Sequence, residues 1–124
     1  MQPVSRALDV KMIPFGEIEN RWDKDNELMH ILPLLEYEYL DAEKKVMQSS
    51  TLTNETLISL VLYALEFQSE YWGNLTLQWL DSEMEINTEI SESLVTFSKD
   101  KRNTQSQRHR AFSLAKKEHQ NASI

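Results

Sequence analysis

The residues whose types suit catalysis or metal binding are a few histidines, paired carboxylates and serines, and each set fails on spacing or setting. Glu27 and His30 form a Glu-x-x-His, the arrangement by which helices of di-iron bundles present ligands, but such sites take a second copy and further glutamates from facing helices. His109 and His119 lack a glutamate three residues earlier. Glu36 and Glu38 stand two apart and diverge on a helix, which makes a poor acid–base pair. Glu66 and Glu70 share a face of the central helix, and a charged strip of that kind is ordinarily solvated. No serine has a strand-turn-helix setting, cysteine is absent, and Gly16 and Gly73 are isolated. The expectation is therefore no catalytic residue, no metal, no cofactor and no enzyme.

The elements that carry these side chains are helices. Only two glycines and three prolines occur in 124 residues, so tight turns are few and a sheet is disfavoured. The length suits one domain with a real core. We expect an all-α fold of five or six short helices, in a bundle or a HEAT-like array, as a single helical domain over 1–124. Residues 1–23, broken by Pro3, Pro14 and Gly16, read as an irregular arm, extended or with one short helix. Residues 119–124 read as a frayed tail. No basic start followed by an apolar run, and no span of membrane length, marks the chain, and the expected location is the cytoplasm.

The stretch Leu52 to Trp72 is the centre of this reading. Its polar strip is thin (Glu55, Ser59, Tyr63, Glu66 and Glu70), and a helix apolar on most of its circumference must be surrounded. Thr53 suits its N-cap, Leu52 and Leu57 have staple spacing, and Gly73 offers its stop, with Asn74 beginning the next helix. Before it, Leu28, Ile31, Leu32, Leu35 and Tyr39 define an amphipathic helix from Asp25, in which Pro33 either makes a kink or marks the first turn of a second helix. After it, Leu75, Leu77, Trp79 and Leu80 form a short helix ending near Asp81 to Glu85. Asn87 then caps a helix with Ile90, Leu94 and Phe97 inward. Thr104 and Gln107 have capping-box spacing for a last helix that buries Ala111, Phe112, Ala115 and the stem of Arg108, with Leu114 as a further candidate.

Charge divides the chain. Residues 1–92 hold eighteen of the twenty acids and six of the thirteen Lys and Arg, net −12, while residues 93–124 carry net +5. Lys99, Lys101, Arg102, Arg108, Arg110, Lys116 and Lys117 thus make a basic end, open to a nucleic-acid reading that the acidic remainder opposes. Phe67, Tyr71, Trp72 and Trp79 are the densest aromatic group and read first as core.

From Ala64 to Lys117 the chain resembles small all-α immunity proteins of bacterial polymorphic-toxin and contact-dependent inhibition loci. The resemblance is carried by Glu70-Tyr71-Trp72, Trp79-Leu80, Ile86 to Ile90 and Arg108-His109-Arg110-Ala111, a helical framework rather than a chemical motif. It implies a protein that binds and neutralises a cognate toxin. A basic nuclease would be met by acidic side chains on a rigid scaffold, which also speed encounter. The candidate binding residues are Glu66, Glu70, Asp81, Glu83 and Glu85, with Glu36, Glu38 and Asp41 as the alternative surface. The expected partner is a toxin protein, with no membrane and no direct nucleic-acid contact, the chain itself being a monomer or weak homodimer. The other readings are a helical homodimeric adaptor with Trp72 and Trp79 at the two-fold contact, and a nucleic-acid-binding module using the basic last helix.

Overall fold

The computed structural model describes residues 12–122, with side chains described as far as Lys117. Among these residues six α-helices and one 3₁₀ helix follow one another with no strand: α1 (Phe15–Asp25), the 3₁₀ helix (Leu28–Glu36), α2 (Tyr39–Met47), α3 (Asn54–Glu66), α4 (Glu70–Asp81), α5 (Thr88–Lys99) and α6 (Gln105–Ala122). The all-α expectation holds.

The presumed arm, whose residues 1–11 lie outside the described range, holds one short helix, the second of the two forms expected. Pro14 precedes a regular helix instead of preventing one, its carbonyl accepting from the Glu17 and Ile18 amides. Gly16 falls in the exposed first turn, where its cost is small. Phe15, Ile18 and Trp22 supply an apolar stripe at helical spacing, with Ile18 fully buried. Asn26 ends α1 in the left-handed conformation at φ 56°, which asparagine tolerates.

Pro33 neither kinks an α-helix nor starts one. It lies inside a nine-residue 3₁₀ helix. A 3₁₀ turn repeats every three residues, so Leu28, Ile31 and Leu34 form one row and Leu32 and Leu35 the next. Ile31, Leu32, Leu34 and Leu35 are all buried, and this burial sustains a conformation that rarely runs so long.

α3 is the hub and meets α2, the 3₁₀ helix, α4 and α5. Leu57, Leu60, Val61, Ala64 and Leu65 face inward while Glu55, Ser59 and Glu66 face water. Thr53 and Thr56 form a reciprocal capping box, and Leu52 and Leu57 are both buried beside it. The helix stops earlier than Gly73. Gln68 turns left-handed at φ 66°, and Ser69 caps α4 by accepting from the Trp72 amide at 3.2 Å. Gly73 is thus a mid-helix residue whose missing Cβ lets Gln107 and Phe97 approach; a Cβ there would sit 3.2 Å from Gln107 Nε2.

α5 and α6 pack along each other as a hairpin, and α6 also packs on α4. Asn87 Oδ1 caps α5 through the Ile90 amide at 2.8 Å. Thr104 Oγ1 accepts from the Gln107 amide at 3.1 Å while Gln107 Oε1 accepts from the Thr104 amide at 3.4 Å, completing the expected box. Ala111, Leu114 and Ala115 are buried, but Phe112 is 50% exposed, contrary to its placement on the inner face. The helix continues to Ala122 through the expected tail; residues 123 and 124 lie outside the described range.

Candidate interaction surface

The most structured acidic surface lies where the 3₁₀ helix gives way to α2. Tyr37 and Glu38 are extended, with ψ near 150°. This short segment is fastened to α4, because the Trp79 indole Nε1 donates to the Tyr37 carbonyl at 2.9 Å. The Tyr39 and Trp79 rings meet edge to face, with centroids 5.4 Å apart. From the other side the Tyr37 hydroxyl donates to the Ile13 carbonyl at 2.8 Å. Glu36 and Glu38 therefore project from a pinned backbone.

Between this segment and α4 runs a cleft of about 300 Å³. Leu35, Leu40, Leu75 and Trp79 give it apolar walls, Glu36 and Glu38 stand on one bank, and Glu83 stands on the other. Asp41 lines an adjoining depression that Glu36 and Glu38 share with Lys44 and Lys45, the Lys45 Nζ lying 5.9 Å from the Tyr37 ring centroid. The Tyr71 hydroxyl donates to the Glu36 carboxylate across the chain. Tyr71 is 53% exposed and Leu40 55%, so an aromatic and an aliphatic side chain stand open among the acids. Apolar groups inside a charged rim are the usual anatomy of a protein-binding patch.

The field of these acids registers on the neighbouring phenols. Burial raises the Tyr37 hydroxyl above its ordinary value, and the Glu36 charge adds to the rise. Tyr71 is raised chiefly because its hydroxyl is bonded to Glu36. Tyr39 is pushed up to about 12 by burial and then by Glu43, with a smaller contribution from Glu85. A negative potential of this kind favours cationic ligands.

The structure thus brings Glu36, Glu38, Asp41 and Glu83 together, which merges part of both expected surfaces. Glu85 lies close enough to act on Tyr39. Three residues fall elsewhere. Asp81 is engaged within the molecule, paired with Arg110 at 3.3 Å and Lys117 at 3.6 Å. Glu66 ends α3 and lines a separate depression with Glu89 and Glu92. Glu70 opens α4, where its charge suits the helix N-terminus. Because the chain turns at Gln68, Glu66 and Glu70 do not share a helix, and the strip drawn through both is corrected. Trp79 is 2% exposed, which removes it from any two-fold contact.

Tyr37, Leu40 and Tyr71 were absent from the expected binding set. Tyr71 carried a signal, an aromatic beside an acid one residue from a helix start, but its exposure depended on the break at Gln68. Elsewhere, His30 Nε2 lies 3.4 Å from Asp25 and 3.6 Å from Glu27. Among the described residues no group of three or more His, Cys, Asp and Glu side chains is arranged to hold a metal ion. No described helix is long and apolar enough to cross a membrane. No protein-family model, curated protein or solved structure matches the chain.

Proposed function

We propose that this protein is a non-enzymatic cytoplasmic inhibitor, an immunity protein that neutralises a basic bacterial toxin, in the best case a nuclease, by covering its cationic site. The observation that supports the reading most is the acid-rimmed cleft, where Glu36, Glu38 and Glu83 surround apolar walls with Leu40 and Tyr71 exposed alongside. A nuclease site is built to hold phosphates, and carboxylates on a fixed backbone offer it a competing anion without the strand. The exposed Leu and Tyr then supply the desolvated centre that charge alone does not.

The test is association kinetics with a toxin domain encoded beside this protein. Glu36→Gln, Glu38→Gln and Glu83→Gln combined should lower the on-rate about tenfold or more at low salt and flatten its salt dependence. Tyr71→Ala should instead act mainly on the off-rate, by roughly 2 kcal/mol if Tyr71 is an anchor. Unchanged on-rates in the triple variant would remove the electrostatic part of the proposal.

A further inference from the structure

Along α6, Gln105, Arg108, His109, Phe112, Ser113 and Lys116 recur at spacings of three and four, which places them in one stripe. With Lys99 at the end of α5 they line a groove of about 570 Å³ that shares no residue with the acid-rimmed cleft. Among the described residues no carboxylate lines it, and Lys99, Arg108 and Lys116 make it locally cationic in a chain of net charge −7.

The cations at this end of the molecule are of two kinds. Arg102 is held by Asp100 at 2.9 Å, and Arg110 and Lys117 by Asp81. Lys99, Lys101, Arg108 and Lys116 have no carboxylate partner among the described residues, and all of these but Lys101 line the groove. Arg108 Nε is buried without an acceptor among the described residues, a state that favours any ligand able to supply one. Phe112 stands half exposed in the middle of the stripe, with Lys116 Nζ 4.7 Å from its ring centroid.

We propose that this groove binds single-stranded nucleic acid, with a base stacked on Phe112 and backbone phosphates on Lys99, Arg108 and Lys116. A half-exposed ring, with Lys116 over one face and cations lacking a carboxylate partner around it, matches what a nucleotide offers, a planar base joined to an anion. An acidic peptide would satisfy the cations but leave the ring unused. From Gln105 to Lys116 the stripe runs about 17 Å at the helical rise, so it tracks a strand rather than a single nucleotide. Repulsion from the acidic remainder makes the binding weak and strongly dependent on salt.

The proposal needs no toxin, and it is tested on the full chain alone by fluorescence anisotropy with labelled oligo(dT) and oligo(U) of about twelve nucleotides. Three phosphate contacts predict an affinity loss of about 20-fold between roughly 50 and 200 mM salt. Phe112→Ala should weaken binding by about 5- to 150-fold. The Lys99→Gln, Lys116→Gln double variant, with both side chains exposed and so no threat to folding, should weaken it and lower the salt slope by about 1.4. Arg102→Gln, on the paired side, should bind like the parent. The proposal is overturned if neither oligonucleotide binds at low salt, or if Arg102→Gln loses as much as the lysine pair. It is equally overturned if Phe112→Ala binds unchanged, if poly-glutamate competes as well as the strand, or if a mononucleotide does.

Discussion

Gln107 shows how much one side chain holds in this fold. Its Oε1 closes the capping box of α6, while its Nε2 donates to the Glu70 carbonyl at 3.1 Å and to Asn74 Oδ1 at 2.9 Å. It is buried, so its loss frees the start of α6 and unties it from α4, where the exposed Glu70 and Asn74 can turn to water. Gln107→Ala should cost about 1–2 kcal/mol, measurable by urea denaturation. Gly73→Ala sets two effects against each other. Helix propensity gains about 1 kcal/mol, but the new Cβ lies 3.2 Å from a Gln107 amide that two hydrogen bonds hold in place. The second effect wins, and a lower melting temperature is expected. Tyr39 gives a pH prediction. Its hydroxyl moves from 10.0 to about 12 on folding, so the folded state holds the proton more tightly than the unfolded chain does. The stability linked to Tyr39 is complete below pH 10 and is lost as pH rises through about 12. Absorbance titration of the phenols in Tyr39→Phe against the parent isolates that step.

At the scale of elements, the turn at Gln68 decides which residues meet. A non-glycine residue at φ 66° is strained by roughly 1 kcal/mol. Gln68→Gly should therefore stabilise the protein by about 0.5–1 kcal/mol, offset in part by the exposed Gln68–Asp100 hydrogen bond it removes. A thermal melt that drops instead would show the conformation to be less costly than its angle suggests. The same turn explains what was legible from sequence. Caps were readable because they are local: Thr53, Asn87 and the Thr104–Gln107 pair all stand where residue type and spacing put them. Gly73 misled because glycine in a helix means either a stop or a close neighbour, and the neighbour, Gln107, is thirty-four residues away. Pro33 misled for a related reason, since only burial of Ile31, Leu32, Leu34 and Leu35 together sustains the 3₁₀ path. The candidate surface was half legible. Its acids could be named as groups, but which group met which depended on Trp79 fastening the Tyr37 carbonyl to α4.

Over the whole molecule, charge is sorted by how much of it is spent internally. Asp81 and Asp100 are engaged with basic residues of the second half of the chain, whereas Glu36, Glu38 and Glu83 face the cleft with no ion pair among the described residues. The unpaired acids at the cleft give that face a local negative charge, and such a charge favours encounter with a cationic partner before contact. The cationic groove on α6 is its counterpart, left unneutralised by the same sorting. The most direct test of the inhibitor reading is affinity capture from a lysate of the source cells, comparing the parent with the Glu36→Gln, Glu38→Gln, Glu83→Gln variant at low and high salt. The parent should retain one stoichiometric basic protein with nuclease activity that the bound inhibitor silences, and the variant should lose it as salt rises. Retention of that protein equally by both, or recovery of no basic partner by the parent, would contradict the acid-rimmed cleft as the inhibitory surface.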